Sequence, residues 1–565
     1  MGDTILPQKR RMQPLANSTL LRPKNPQPDK VDLLLITLPR RNPHIYYATQ
    51  VPEALGRLSI SVEQAGFSAY CLDLDNPYFK KVFARRDIID ELDEYFRNIN
   101  DRKFYQAYDR LTPQAMEFYE SYLDECVERI SKIDHEWLGI SIFSEQSARC
   151  SIDFMERVRK RLPASKIVIG GYCMVTPAVH HSGHVLATGE PFKRLGQYIR
   201  DKGLCDYFVV GEGEVALIEI MKGNDKYPGI NTYFPKQIDD LDALPIPDYH
   251  DFSMRDYIFP NPEDLPNLLF PMISVTGSRG CVRNCIFCDI NTKWPKYRWV
   301  SPTKLAGEII HYYEEYGVLN FHWSDSLVNA SPPKMHEFMK ILADYSEKHD
   351  VRFWQTGSFI VREDYQMPEE MWATLKKAGF DVCVFGLESG SEKVRYEMHK
   401  KFSNEAVRYT VEMCRKYEIE CQFLIIVGYP TETQEDYFDT LRMMEEFAPR
   451  YPGDRSVIFS LSSFGFEYDW DETPLNRDPS IHGITHDPEI GWKSPITNNY
   501  IALKRTQAIY EFLDQLGYPI YGEWEHENQV DVDFLETNLK LSGRDSEILQ
   551  DIELALPQKK AGYYS

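Results

Sequence analysis

The chain has 565 residues, with 64 Lys and Arg against 86 Asp and Glu, a formal charge of −22, and 43% hydrophobic residues. A surface so acidic repels phosphate backbones and anionic lipid, which counts against nucleic acid or a membrane as partner. No apolar run approaches the roughly 18 residues that a membrane helix needs. Arg10 and Arg11 have no apolar stretch behind them, and Leu6 stands where a myristoylation signal carries Ser or Thr, so a cytoplasmic protein is expected. Cysteines number 11, an odd count with most of them isolated, which fits a reducing compartment rather than a disulfide framework.

Residues 1–30 are polar and proline-rich and read as a flexible arm. A first block spans 31–215. Residues 31–38 (VDLLLITL) form a continuous apolar run, the pattern of a strand buried on both faces. Helical spacing over 51–66 stops at Gly66, and 69–74 reads as a second strand. The charged and aromatic stretch 78–130 reads as helical insertions. Strands follow at 137–143, at 167–169 before Gly170 and Gly171, and at 206–210, with an amphipathic helix at 151–162. Strand and helix in alternation predict a doubly wound α/β sheet. Residues 216–270 are a connector.

The second block, 271–465, has six predicted strands, at 272–276, 318–323, 352–356, 382–387, 423–427 and 457–462. Helices such as 304–316 and 334–348 separate them. Repeated βα units of this number build a partial, open TIM-type (β/α)6 barrel. The extension 466–565 is expected to be mostly helical, with its best helix near 502–517. Its aromatic residues Trp470, Trp492, Tyr500, Tyr521 and Trp524 are expected to close the barrel mouth, with ordinary packing as the alternative.

Three cysteines are not isolated. Cys281, Cys285 and Cys288 stand in SRGCVRNCIFCDI, as C-x3-C-x2-C, directly after the first strand of the second block. Three soft thiolates on one short glycine-bearing loop can converge on one metal centre. A structural zinc site usually has a fourth ligand in a second knuckle, and none follows at that spacing. Zinc and an iron–sulfur cluster with one open iron both remain as readings of the residues alone.

This loop resembles that of the radical S-adenosylmethionine superfamily, including the aromatic Phe287 just before the third cysteine. The resemblance covers about residues 31–465. It implies a [4Fe–4S] cluster on Cys281, Cys285 and Cys288 whose open iron chelates S-adenosylmethionine. One electron would then cleave the sulfonium to a 5′-deoxyadenosyl radical. By the same resemblance, further S-adenosylmethionine contacts fall at strand ends. Asp325, in Ser324-Asp325-Ser326, would meet the methionine ammonium or else cap the strand. Glu388 and Ser389 would bind ribose hydroxyls, Gly428 would let the cofactor approach bare backbone, and Glu432 is expected to be a helix N-terminal charge. Arg362 would bind the carboxylate or form a surface ion pair. A reductant such as flavodoxin or ferredoxin is implied as partner.

The two blocks together resemble the subgroup with an N-terminal Rossmann-like cobalamin-binding domain. The matching residues lie around Ser141, at Gly170 and Gly171, at Gly211 and Glu212, and in the connector at 241–245. In a doubly wound sheet, ligands sit beyond the carboxyl ends of the strands. The cobalt-ligating pattern D-x-H-x-x-G is absent, and His135 stands at the wrong spacing to supply it. Cobalamin would therefore bind without a protein ligand to cobalt, or else the domain is vestigial. The resemblance implies an enzyme acting on a small molecule or peptide, foremost a cobalamin-dependent C-methyltransferase for an unactivated carbon. A non-methylating radical enzyme and a non-catalytic metal module are the alternatives.

Overall fold

The computed structural model describes residues 25–39, 49–85, 87–89, 91–92, 111–143, 145–175, 194–260, 268–466, 473–487, 490–519, 545–546, 548–550 and 552. The expected arm at 1–30 lies almost wholly outside these residues, as do Trp470, Tyr521 and Trp524. The chain forms two compact units. One runs up to Val275 and includes Gly307–Asn320; the other comprises Thr276–Ala306 and the chain from Phe321 onward.

The first unit holds five parallel strands, β1 (Lys30–Thr37), β2 (Ala69–Asp73), β3 (Asp134–Ser141), β4 (Lys166–Gly170) and β5 (Tyr207–Val209). Their order is β2-β1-β3-β4-β5, a doubly wound sheet of the flavodoxin type. Helices α1 (Glu53–Gln64), α2 (Pro113–Ser131), α3 (Glu145–Arg161) and α4 (Gly213–Met221) connect and cover it. The apolar run in β1 buries Leu33, Leu34, Leu35 and Ile36 almost completely, as expected of a central strand with both faces covered. On one face, Leu34 and Ile36 share a core with Leu138, Ile140, Ile167 and Ile169. α2 starts where Thr112 Oγ1 accepts from Ala115 N at 3.3 Å with Pro113 at the first helical position, which removes one donor that would have no partner.

Among the boundaries that differ from the sequence reading are two helix starts in this unit. The helix expected from residue 51 starts at Glu53, because Gln50–Val51 is extended and pairs in parallel with β6 (Met272–Val275). Pro52, with ψ 94°, separates strand from helix. The helix expected over 151–162 begins earlier, at Glu145.

In the second unit, βα alternation is regular. Following α5 (Pro302–Tyr316), most of which is assigned to the first unit, come β7 (Asn320–Trp323), α6 (Pro332–His349), β8 (Trp354–Phe359), α7 (Glu369–Lys377) and β9 (Phe380–Glu388). Then follow α8 (Glu392–Glu397), α9 (Asn404–Lys416), β10 (Glu420–Val427), α10 (Gln434–Glu446) and β11 (Val457–Ser463). β8 to β11 are parallel, in the order β11-β10-β9-β8-β7. β10 alternates: Cys421, Phe423, Ile425 and Val427 are buried while Leu424 is 40% exposed, as in a barrel strand with one packed face and one open face. α11 (Asn499–Gln515) is the helix expected in the C-terminal extension. No described helix is long and apolar enough to cross a membrane.

Candidate functional site

The three cysteines lie on a loop that the chain braces from several sides. Its base is a short antiparallel ladder between Ser278–Arg279 and Arg298–Trp299. Gly280 has φ +87°, and a Cβ there would meet Lys296 O at 2.6 Å, so the turn requires glycine. Asn291 Nδ2 donates to Arg283 O at 2.5 Å and to Asn284 Oδ1 at 2.8 Å. Arg283 N donates to Cys281 Sγ at 3.4 Å. From elsewhere in the unit, Ile286 N donates to Met398 O at 3.3 Å and Leu475 N to Ile286 O at 3.0 Å. Ile286 is buried with Tyr429, Phe464 and Trp492, and Phe287 packs against them. The loop is thus held by the C-terminal extension as well as by the barrel.

Burial raises all three thiols, Cys288 to about 11. The positive charges of Lys400 and Arg283 pull Cys281 and Cys285 back down. Thiolate is the ligating form, so a cluster assembled here would displace protons. Among the described residues, no three His, Cys, Asp or Glu side chains are gathered as a single ion requires. That does not bear on a multi-iron cluster, whose three thiolates ligate three different irons. Three half-buried thiols on a braced loop, with cations beside two of them, fit an anionic cluster.

β9 ends in the other notable geometry. Glu388 is buried and has φ +68°, a left-handed conformation that costs a non-glycine residue roughly 1–3 kcal/mol and is retained where surrounding structure enforces it. The β9–β10 register slips between Gly386 and Glu388. The Glu388 carboxylate is paired with Lys400. Ser389 is also buried, but its hydroxyl accepts from Ser391 N at 3.1 Å and lies 3.5 Å from Thr440 Oγ1, so it serves the turn into α8. Buried Arg395 locks that turn, donating to Ser389 O and Asn404 Oδ1 at 2.6 Å each.

Other expected site residues are engaged within the protein. Asp325 accepts from Gly277 N at 2.7 Å and from the Ser278 hydroxyl, holding the chain where it enters the cysteine loop. Arg362 donates to the Asn329 and Ala330 carbonyls at 2.9 Å each. Gly428 has φ +77°, and a Cβ there would lie 2.2 Å from Ala502 Cβ. Its bare backbone therefore admits α11. Glu432 is a member of a buried ion pair, accepting from Arg505 at 2.9 Å and from Gly428 N at 3.0 Å. Trp492 and Tyr500 are buried.

In the first unit, Ser141 stands opposite Thr37 at the carboxyl ends of β3 and β1, where the strand order reverses. This is the switch point at which doubly wound sheets bind ligands. Gly170 pairs with Ser141, and a Cβ there would find nothing closer than Val209 O at 3.7 Å. Gly171 is different: a Cβ would collide with Ile142 O at 2.4 Å. Gly211 likewise abuts Pro235 at 2.6 Å, and Glu212 accepts from Ile238 N at 2.5 Å, so both hold the connector. His135 bonds Ile133 O and Ser165 Oγ, a structural role.

The sequence reading missed Lys400 and Arg505. Neither has a spacing signal, since each is defined by a partner 12 or 73 residues distant.

Residues 275–444 match the radical SAM superfamily model. Among curated proteins, the chain is 24% identical over 220 residues to the cytidylyl-2-hydroxyethylphosphonate methyltransferase of Streptomyces wedmorensis, covering 38% of this chain and 40% of that one. It is 21% identical over 300 residues to the anaerobic magnesium-protoporphyrin IX monomethyl ester cyclase of Synechocystis, covering 52% and 56%. The chain thus spans about half the length of these relatives. Among solved structures, the radical S-adenosylmethionine methyltransferase TsrM of Kitasatospora setae aligns with TM-score 0.55 at 16% identity, over 82% of this chain and 78% of that one. The cobalamin-dependent radical enzyme OxsB aligns with TM-score 0.54 at 13% identity, over 93% and 75%. Residues 275–444, which carry the braced three-cysteine loop at the head of a parallel barrel, are thus similar to the radical S-adenosylmethionine superfamily, and the chain has the fold of the TsrM and OxsB structures.

Proposed function

We propose that this enzyme is a cobalamin-dependent radical S-adenosylmethionine methyltransferase that places a methyl group on an unactivated carbon of a small molecule or peptide. The observation that carries the reading is the union in one chain of the braced cysteine loop and a doubly wound unit whose switch-point edge, among the described residues, is uncrowded at Gly170. At that edge Gly170 is uncrowded, and Phe143, 64% exposed, lies 6.2 Å from the ring of Tyr172. An exposed aromatic ring beside bare backbone suits contact with a corrin face. The Streptomyces relative and TsrM are methyltransferases and OxsB is a cobalamin-dependent radical enzyme, which supports the same reading.

When bound, the cluster would supply the electron that cleaves S-adenosylmethionine, and cobalamin the methyl group. The residues of this chain would do the rest. Cys281, Cys285 and Cys288 would hold the cluster, with Phe287 packed behind them. Glu388 would accept the ribose hydroxyls. Asp325 would keep the entry to the cysteine loop in place through Gly277 and Ser278. Leu475, Ile484 and Trp492, packed in one cluster with Ile286, would exclude water from the reducing centre.

A second reading, a non-methylating radical enzyme with the first unit as scaffold, draws support from Gly171 and Gly211, whose open backbone is filled by the chain itself. Titration with hydroxocobalamin, followed by ultraviolet–visible absorption, separates the two. The methyltransferase reading expects wild type to bind the corrinoid with micromolar or tighter affinity and Gly170→Phe to lose it while keeping its iron. The Co(II) form should show no nitrogen superhyperfine splitting. Absence of uptake by wild type would favour the scaffold reading.

Glu388→Ala is expected to weaken S-adenosylmethionine binding about tenfold or more, since each lost bond costs roughly 0.5–1.5 kcal/mol and Lys400 is left buried without its carboxylate. Equilibrium dialysis measures this, with iron content as control; unchanged affinity would remove Glu388 from the cofactor site.

A further inference from the structure

Lys400 is 8% exposed, an unusual position for a lysine. Its ammonium meets the Glu388 carboxylate, donates to the Gly386 carbonyl at 2.8 Å, and lies 5.7 Å from the centroid of the Phe287 ring. It therefore joins the carboxylate at the end of β9 to the aromatic residue that precedes Cys288.

The backbone on both sides is shaped around this pair. α8 ends in a Schellman turn: His399 N donates to Tyr396 O at 3.0 Å and Lys400 N to Arg395 O at 2.7 Å. His399 occupies the left-handed position of that turn, φ +64°, where glycine is usual. The turn reverses the chain and sends Lys400 inward. On the other side Glu388 has the left-handed conformation described above. A Cβ on Gly386 would lie 2.3 Å from Lys400 Nζ and 2.7 Å from Glu388 Oε1, so glycine alone leaves room for the pair. Two non-glycine residues in left-handed conformations and one closely approached glycine thus surround a single buried ion pair. A pair serving stability alone would gain little, because desolvating two charges offsets most of their attraction. Strain concentrated in this way marks functional sites.

We infer that Lys400 is a positioning residue for the S-adenosylmethionine site, aiming the Glu388 carboxylate and placing a fixed positive charge beside the cluster. The inference rests on the radical reading of the cysteine loop and of Glu388. Two consequences follow from one cation. Without Lys400, Glu388 loses its orientation and cofactor affinity falls. The cluster, which takes up one electron from an external low-potential donor, also loses a charge that favours its more negative reduced state.

The test compares reconstituted wild type, Lys400→Met and Lys400→Arg by iron content, by equilibrium dialysis of S-adenosylmethionine, and by redox titration of the cluster's paramagnetic signal. Lys400→Met keeps most of the aliphatic stem, so packing is largely preserved. The expected result is full iron content, cofactor affinity at least tenfold weaker, and a midpoint potential shifted to more negative values. Lys400→Arg should restore the potential more fully than the affinity, since it keeps the charge while changing the donor geometry. Lys400→Met with wild-type affinity and potential would overturn the inference. Loss of the cluster in that variant would overturn it too, by showing a structural role. Wild type that holds iron but binds no S-adenosylmethionine would instead remove the radical reading beneath it.

Discussion

Changing Cys281, Cys285 and Cys288 together to alanine is expected to leave anaerobically reconstituted protein without iron or labile sulfide, where wild type holds about four of each per chain. The loop contributes three thiols and is held by the ladder at its base and by Met398 and Leu475 at its centre, so the fold should survive the loss of the sulfurs. Cys383→Ala and Cys421→Ala make the control. These residues stand opposite each other in β9 and β10, fully buried, and burial pushes both thiols well up. They behave as small core residues, and their loss should cost stability without costing iron. Retention of the cluster in the triple variant would refute the assignment of the loop.

The second large effect is expected at Arg505, far from any cofactor role. Arg505 is 1% exposed and Glu432 2%, and the arginine also donates to Glu432 O at 3.1 Å and Gln434 Oε1 at 2.9 Å. Arg505→Ala would strand a buried carboxylate at the Gly428 turn, a defect worth about 3–5 kcal/mol. The double variant Arg505→Ala with Glu432→Gln should recover much of that loss, because no uncompensated charge remains. Chemical denaturation of the single and double variants measures both. Equal destabilisation by the single and the double variant would show that the arginine matters through packing and not through its charge pair.

The strands were readable because a buried parallel strand is a continuous apolar run: residues 31–38 and 382–387 announce β1 and β9 without reference to any partner. Gln50–Val51 was not readable. Two residues carry no period, and their extended form depends on pairing with Met272 and Ile273 more than 200 residues away. The cysteine loop carries a local signal, the C-x3-C-x2-C spacing, and the chain forms a braced turn there. The role of Gly428 was not readable, because what approaches its bare backbone is Ala502, a contact set by tertiary structure. The same holds at Gly171, where the chain's own Ile142 carbonyl fills the space that a bound ligand was expected to use. Lys400 escaped notice for a related reason: it earns its place through a left-handed turn at His399 that no composition rule flags.

The central claim is that this chain reductively cleaves S-adenosylmethionine at a cluster held by the braced loop. Cleavage needs the cluster, an electron and the sulfonium, and no other substrate. Anaerobic incubation of reconstituted wild type with dithionite and S-adenosylmethionine, read by chromatography for 5′-deoxyadenosine, therefore tests it most directly. Slow formation of 5′-deoxyadenosine by wild type, and none by the triple cysteine variant, is the predicted result. No 5′-deoxyadenosine from wild type that carries its full complement of iron would contradict it.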